Sequence, residues 1–362
     1  MSGDSGDDRH AGKVAPPSAG GRVAGEFGGA FGDLGTFLPH TLGAITVAGL
    51  APAGVLAGFG ILYVVSGLFY RLPIPVQPMK AVSAVLLTSG LSAGEIAAAG
   101  LWLGLILLVL GASGAIGRFA RLIPQSVVSG LQLGLGITLA LMSLELMAGL
   151  PWLGIVTIAL LLATLRVPRC PATLVALGAA VALAQLAGIG AALPQFAWQP
   201  AWPAVVLPGL GDFGPAFGSA VLPQLPLTLT NAVIVTAALA HDLYGERAAR
   251  ATPRHLALTS GLAPVILGAL LLGFGFVLAD QAGALLALIP LAAVGALLLF
   301  SAADLAFSRR LFDARPSCWP VIAVTAAMTA WVDPLWGLLA GALAEWLRTQ
   351  ILAALRAGAG AR

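Results

Sequence analysis

Apolar residues fall in twelve runs, at about 30–50, 52–70, 76–91, 93–113, 124–147, 150–165, 170–192, 215–240, 255–279, 282–307, 317–332 and 334–355. A helix needs ~20 such residues to cross the hydrocarbon core of a bilayer. The pattern therefore predicts an all-α polytopic membrane protein. The third run is too short to cross alone. Its lead, 72–78, is rich in proline, which lacks an N–H and disfavours helix at the preceding residue. Extended chain followed by a half-helix is predicted there. Broken backbone at membrane depth is tolerated where protein buries it or it lines a cavity.

Charge divides the connections into two kinds. Arg71, then Arg118 and Arg121, Arg166 and Arg169, Arg247, Arg250 and Arg254, and Arg309, Arg310 and Arg315 fall in alternate connections. Those between hold Glu95, Asp212, Asp280 and Asp333 and no lysine or arginine. By the positive-inside rule both termini are expected in the cytoplasm, in a multi-pass protein of the inner (cell) membrane.

Composition agrees with the pattern. The 362 residues are 59% hydrophobic and 9% charged, against roughly 25% charged in soluble domains. Mean hydropathy is +0.97. The net charge of +3 comes from cations scattered between apolar runs, so no basic face suits nucleic acid. Cys170 and Cys318 lack metal or redox spacing. Residues 1–25 read as a disordered cytoplasmic tail with no secretory leader.

Fragments recur along the chain. Ala30-Phe31-Gly32 before Leu38-Pro39 resembles Ala216-Phe217-Gly218 before Leu222-Pro223, and Leu122-Ile123-Pro124 resembles Leu288-Ile289-Pro290. Their shared order suggests a duplication like that of many secondary transporters, inverted because seven segments precede the second copy. The spacings differ: 92 residues separate Gly32 from Pro124, but 72 separate Gly218 from Pro290. About one helix is missing from the second copy.

Lys80 is the one lysine or arginine of 18 inside an apolar run. An ionisable group at membrane depth is a functional candidate. A cation where a short helix begins adds to the positive dipole end and the free N–H groups of that helix. Lys80 and the backbone amides of Met79, Lys80 and Ala81 are thus expected to hold an anion, with Gln77 as an amide donor beside them. The alternative for Lys80 is snorkelling, or a structural pairing with a carboxylate. Gln224, Thr228 and Asn231 share a helical face, expected to contact substrate or to join helices. Asp33 is expected to partner Lys80 or to accept a proton travelling with the anion, and Glu26 is the second coupling candidate. Gln125 and Gln132 share a face of the fifth segment. His40 reads as a polar packing residue, His241 and His255 as interface residues. Glu145 and Asp304 read as solvated carboxylates near segment ends. No catalytic, metal or nucleotide-loop constellation is present, so neither an enzyme nor a cofactor is expected.

Four ordered runs carry a resemblance: Phe31 to Phe37, Pro73 to Lys80, Pro124 to Gly134, and Pro223 to Asn231. Here the chain resembles the molybdate-transporter branch of the sulfate permease-like superfamily. The resemblance implies a core-and-gate fold of two inverted seven-segment repeats. The half-helix of each repeat would aim its N-terminus at one central oxyanion, molybdate first and sulfate next. Thr36, within the first run, joins the expected substrate-binding set. The second half-helix and its glycine-rich lead are not found, because the sequence passes almost directly from Leu262 to Pro264. About twelve segments rather than fourteen are therefore expected. The division is a first repeat over 26–200 (segments 1–7), a shortened second repeat over 201–357 (segments 8–12), and a tail at 358–362. Transport by alternating access, with proton symport as an option, follows from the resemblance, and a homodimer in the bilayer by analogy. The competing expectations are a transport-deficient protein of the same fold and a nucleobase-type transporter.

Overall fold

A computed structural model describes residues 34–72, 74, 76–167, 170–194, 202–244, 262–277 and 279–360. Every regular element among them is helical. The first half holds α1 (Leu34–Thr46), α2 (Pro52–Tyr70), α3 (Lys80–Ser89), α4 (Ala93–Ser113), α5 (Ile116–Leu122), α6 (Gln125–Ala148), α7 (Pro151–Thr164) and α8 (Ala172–Leu186). The second holds the long span α9 (Leu210–Asp242), then α10 (Leu262–Val277), α11 (Ala279–Leu286), α12 (Leu291–Ala306), α13 (Arg309–Phe312), α14 (Trp319–Trp331) and α15 (Pro334–Gly360). Among the described residues, six helices are long and apolar enough to cross a membrane.

Local sequence sets the boundaries. Proline opens α2 and α7, where its missing N–H would have had no partner anyway. Gly90 and Gly114 end α3 and α4 at φ 69°, a left-handed conformation that glycine adopts without a Cβ clash. Ser92 and Glu95 form a reciprocal capping box at the start of α4. The tenth apolar run, expected as one segment, divides at Pro290. Proline favours a helix start and disfavours helix before it, so α11 ends upstream and α12 begins just after. Pro124 divides α5 from α6 in the same way, so the Leu-Ile-Pro match has a structural counterpart.

Three prolines shape α9. Pro215, Pro223 and Pro226 remove N–H donors, and the winding widens to π turns at Phe217–Val221 and Thr228–Val235. The N–H of Leu222 reaches the carbonyl of Phe217, five residues back. Such bulges keep a proline-bearing helix continuous and often mark functional sites.

Helices α6 and α12 are the most buried of the long apolar helices, and α15 is the most exposed. The first two pack on each other. The α14 helix lies on α6, and α12 contacts α1 and α7. Helix α10 lies along α2 at a distance only glycine allows: a Cβ on Gly268 would stand 2.6 Å from the Gly60 carbonyl oxygen. Outward faces carry Ile61, Leu62, Val65 and Leu68 on α2 and Leu101, Leu105 and Leu108 on α4, all exposed. Buried hydroxyls turn back on their own helices, as Thr41 does to the Phe37 carbonyl and Thr325 to that of Val321.

Candidate functional site

The chain leaves α2 through Arg71, the one described non-glycine residue with positive φ (56°), whose N–H caps the Gly67 carbonyl. That reversal delivers the extended segment that ends at Met79, and α3 starts at Lys80. Ten residues give a helix of ~15 Å, half the ~30 Å core. Helix α3 is buried from Ala81 through Leu87 and reaches the surface at Thr88 and Ser89.

A helix start leaves N–H groups without intrahelical acceptors. Here the side chain of Gln224, from α9, supplies one. Its Oε1 accepts from the N–H of Ala81 at 2.9 Å and from that of Val82 at 3.4 Å. Its Nε2 donates to Thr228 Oγ1 at 2.9 Å. Gln224 is buried and acts as an N-cap supplied from another helix. Sequence reasoning offered the Ala81 amide to a substrate. The structure gives it to Gln224, because a buried N–H seeks the nearest acceptor the protein can place.

The other side of α3 is held by His40. Its Nδ1 lies 2.9 Å from Ser83 Oγ on α3, and its Nε2 2.8 Å from Ser301 Oγ on α12. Each hydroxyl can donate or accept, so both ring nitrogens are satisfied in either neutral tautomer. The packing role expected of His40 is met by a three-helix bridge.

Lys80 opens onto a cavity of about 740 Å³, within the range of small-molecule clefts, roughly 300–1,000 Å³. It is lined by Gln77, Met79, Lys80 and Gln132, by Gln224, Thr228, Asn231 and Thr236 of α9, and by Asp304, Ser308, Arg309 and Arg310. Among the described lining residues are three cations and one carboxylate, a net positive set. Lys80 Nζ lies 3.2 Å from Asp304 Oδ2. Arg310 Nη2 donates to the Thr230 carbonyl at 3.4 Å, while its Nη1 is buried with no hydrogen-bond partner. Ser308 donates to Gln132 Oε1 at 3.3 Å.

Of the expected substrate-binding residues, Lys80, Gln77, Met79, Gln224, Thr228 and Asn231 thus share one cavity. Thr36 and Ala81 are not among its lining residues. Asp33 and Glu26 lie outside the described residues, so Lys80's described carboxylate is Asp304. Sequence reasoning read Asp304 as a solvated end-of-segment carboxylate and the Arg309–Arg310 pair as connection charges only. A carboxylate inside an apolar run was the available signal for Asp304. Its pairing, across 224 positions, leaves no trace in local pattern.

Comparisons with known proteins agree with this architecture. The model of the family described as "Molybdate transporter of MFS superfamily" matches residues 25–139 and 216–271. Molybdate transporter 1 of Arabidopsis thaliana is 26% identical over 381 residues, covering 83% of this chain and 83% of that protein. Molybdate transporter 1 of Chlamydomonas reinhardtii is 37% identical over 163 residues, covering 40% of this chain and 31% of that protein. In fold, the transmembrane domain of the cyanobacterial bicarbonate transporter BicA matches with a TM-score of 0.58 at 17% identity, over 88% of this chain and 97% of that one. Murine Solute Carrier 26 family member A9, an anion transporter solved in the inward-facing state, matches with a TM-score of 0.56 at 13% identity, over 91% of this chain and 68% of that one. The relatives are transporters rather than enzymes; in sequence this chain is similar to the molybdate transporter family, and its fold is that of a multi-pass membrane protein.

Proposed function

We propose that the chain is a secondary transporter of a tetrahedral oxyanion, molybdate first and sulfate next, working by alternating access of a core against a gate. The observation that carries this reading is the Lys80 ammonium, placed by a half-helix start into a cavity that Arg309 and Arg310 also line. The family match supplies the substrate class. A dianion gains from several fixed donors and from a positive helix end held in a partly desolvated cleft. The alternation of basic connections supports cytoplasmic termini in the cell membrane. Asp33 and Glu26 stay the candidates for proton coupling, and a homodimer rests on family analogy.

The test is uptake of labelled molybdate into proteoliposomes of the purified protein. Lys80→Ala is expected to lower uptake by roughly tenfold or more, as for loss of a charged hydrogen-bond donor, while size-exclusion behaviour stays that of the folded protein. Unchanged uptake rejects the site. With an imposed proton gradient, Asp33→Asn is expected to lose the acceleration that the parent shows; equal acceleration in both removes Asp33 from coupling.

One observation favours a second reading, transport deficiency. Among the described residues, α10 and α11 alone stand between α9 and α12, and neither contributes a residue to the cavity at Lys80. The 381-residue alignment with the Arabidopsis relative is longer than this chain, so that relative inserts residues this chain lacks. Molybdate binding without uptake supports this second reading. The three cations argue against a neutral nucleobase as substrate, and competition of uracil with molybdate decides that point.

A further inference from the structure

We propose that Asp304 is an intramolecular stand-in for the transported anion: its carboxylate occupies the Lys80 ammonium in the empty cavity and must be displaced before an oxyanion binds. The inference rests on the oxyanion reading above and adds to it a residue that sets how tightly an anion must compete. Four observations carry it. Lys80 Nζ and Asp304 Oδ2 are 3.2 Å apart, a direct charge-assisted hydrogen bond. Asp304 is the one carboxylate among the described cavity-lining residues. Its side chain is 53% exposed and that of Lys80 25%, so the pair is wet enough to open without stranding a buried charge. Finally, α3 and α12 are joined independently by Ser83, His40 and Ser301, so opening the ion pair does not part the two helices.

A tethered carboxylate meets its partner at a high effective concentration, so a free anion binds only by doing better than a single carboxylate does. A divalent oxyanion can. It carries twice the charge, and the same cavity is lined by Asn231, Thr228, Gln132 and Arg310, which offer it further donors. Once displaced, Asp304 has solvent to enter, beside Arg309 and Arg310 on the same stretch of chain.

Equilibrium titration of the purified full chain with sodium molybdate and, separately, with sodium sulfate tests this. Asp304→Asn, which removes the competitor, is expected to bind about fivefold more tightly than the parent, the worth of a partly exposed ion pair. Asp304→Glu restores a competing charge and is expected to bind as the parent does. Affinity unchanged or weakened in Asp304→Asn overturns the inference, and if that variant does not fold, Asp304→Ala makes the same comparison. Binding by the parent that Asp304→Asn leaves unaltered overturns the stand-in role alone. Binding by Asp304→Asn where the parent shows none supports it. Absence of binding of either anion by either form overturns the oxyanion reading and the inference together.

Discussion

Gln224 shows how one side chain can serve structure while lining the cavity at Lys80. Its amide oxygen caps α3 and its amide nitrogen holds Thr228. Gln224→Ala leaves two buried N–H groups without an acceptor and should cost about 1–3 kcal/mol, read as a lower melting temperature in detergent. Gln224→Glu separates the two roles. A carboxylate still accepts from the helix start and suits its dipole, but it sets a negative charge beside Lys80. That variant should melt like the parent and lose most oxyanion binding; parental affinity would show that the position is electrostatically remote from the anion. Lys80 was legible in the sequence because a lone cation in an apolar run has few explanations. Asp304 was not, since a carboxylate near the end of a run looks solvated until its partner is known. The Arg310 guanidinium was masked by its neighbours, which make it look like one more cytoplasmic charge.

At the scale of elements, helix existence and most boundaries could be read from apolar runs and proline. The half-helix at Lys80–Ser89 lies where the shortness of its run put it. The π winding of α9 could not be read, because periodicity analysis assumes 3.6 residues per turn and the prolines shift that locally. Close helix contacts were equally silent, since 46 glycines do not declare which of them face a neighbour. Gly268 does so in the structure. A methyl there meets the Gly60 carbonyl, which belongs to backbone and cannot yield. Gly268→Ala should therefore destabilise the α2–α10 pair by about 1–3 kcal/mol. Gly273→Ala, with nothing within 4 Å of the added carbon, should be neutral or stabilise by up to ~1 kcal/mol through helix propensity. Equal melting temperatures for the two variants would refute the close packing.

For the whole molecule, the orientation drawn from arginine placement has a direct readout in two native thiols. Cys170 and Cys318 are free and partly exposed. Each neighbours a basic connection, Arg166 and Arg169 for the first, Arg309, Arg310 and Arg315 for the second. Both are expected on the cytoplasmic side, so an impermeant maleimide should label them in inside-out vesicles and spare them in right-side-out ones. Labelling of one thiol from each side would break the proposed topology. The unequal spacing of repeated fragments is the signal from which a shortened second half is expected.

The imidazole of His40 has a mechanical consequence. It grips Ser83 on the half-helix with one nitrogen and Ser301 on α12 with the other, and neither bond involves a formal charge. A swing that parts α3 from α12 must break one of these two contacts and can leave the other whole. The histidine then works as a clasp with one fixed and one releasable jaw. Neutral bonds are little affected by ionic strength, so that clasp should open with the same ease in dilute and in concentrated electrolyte, whatever happens to the ion pair a turn away.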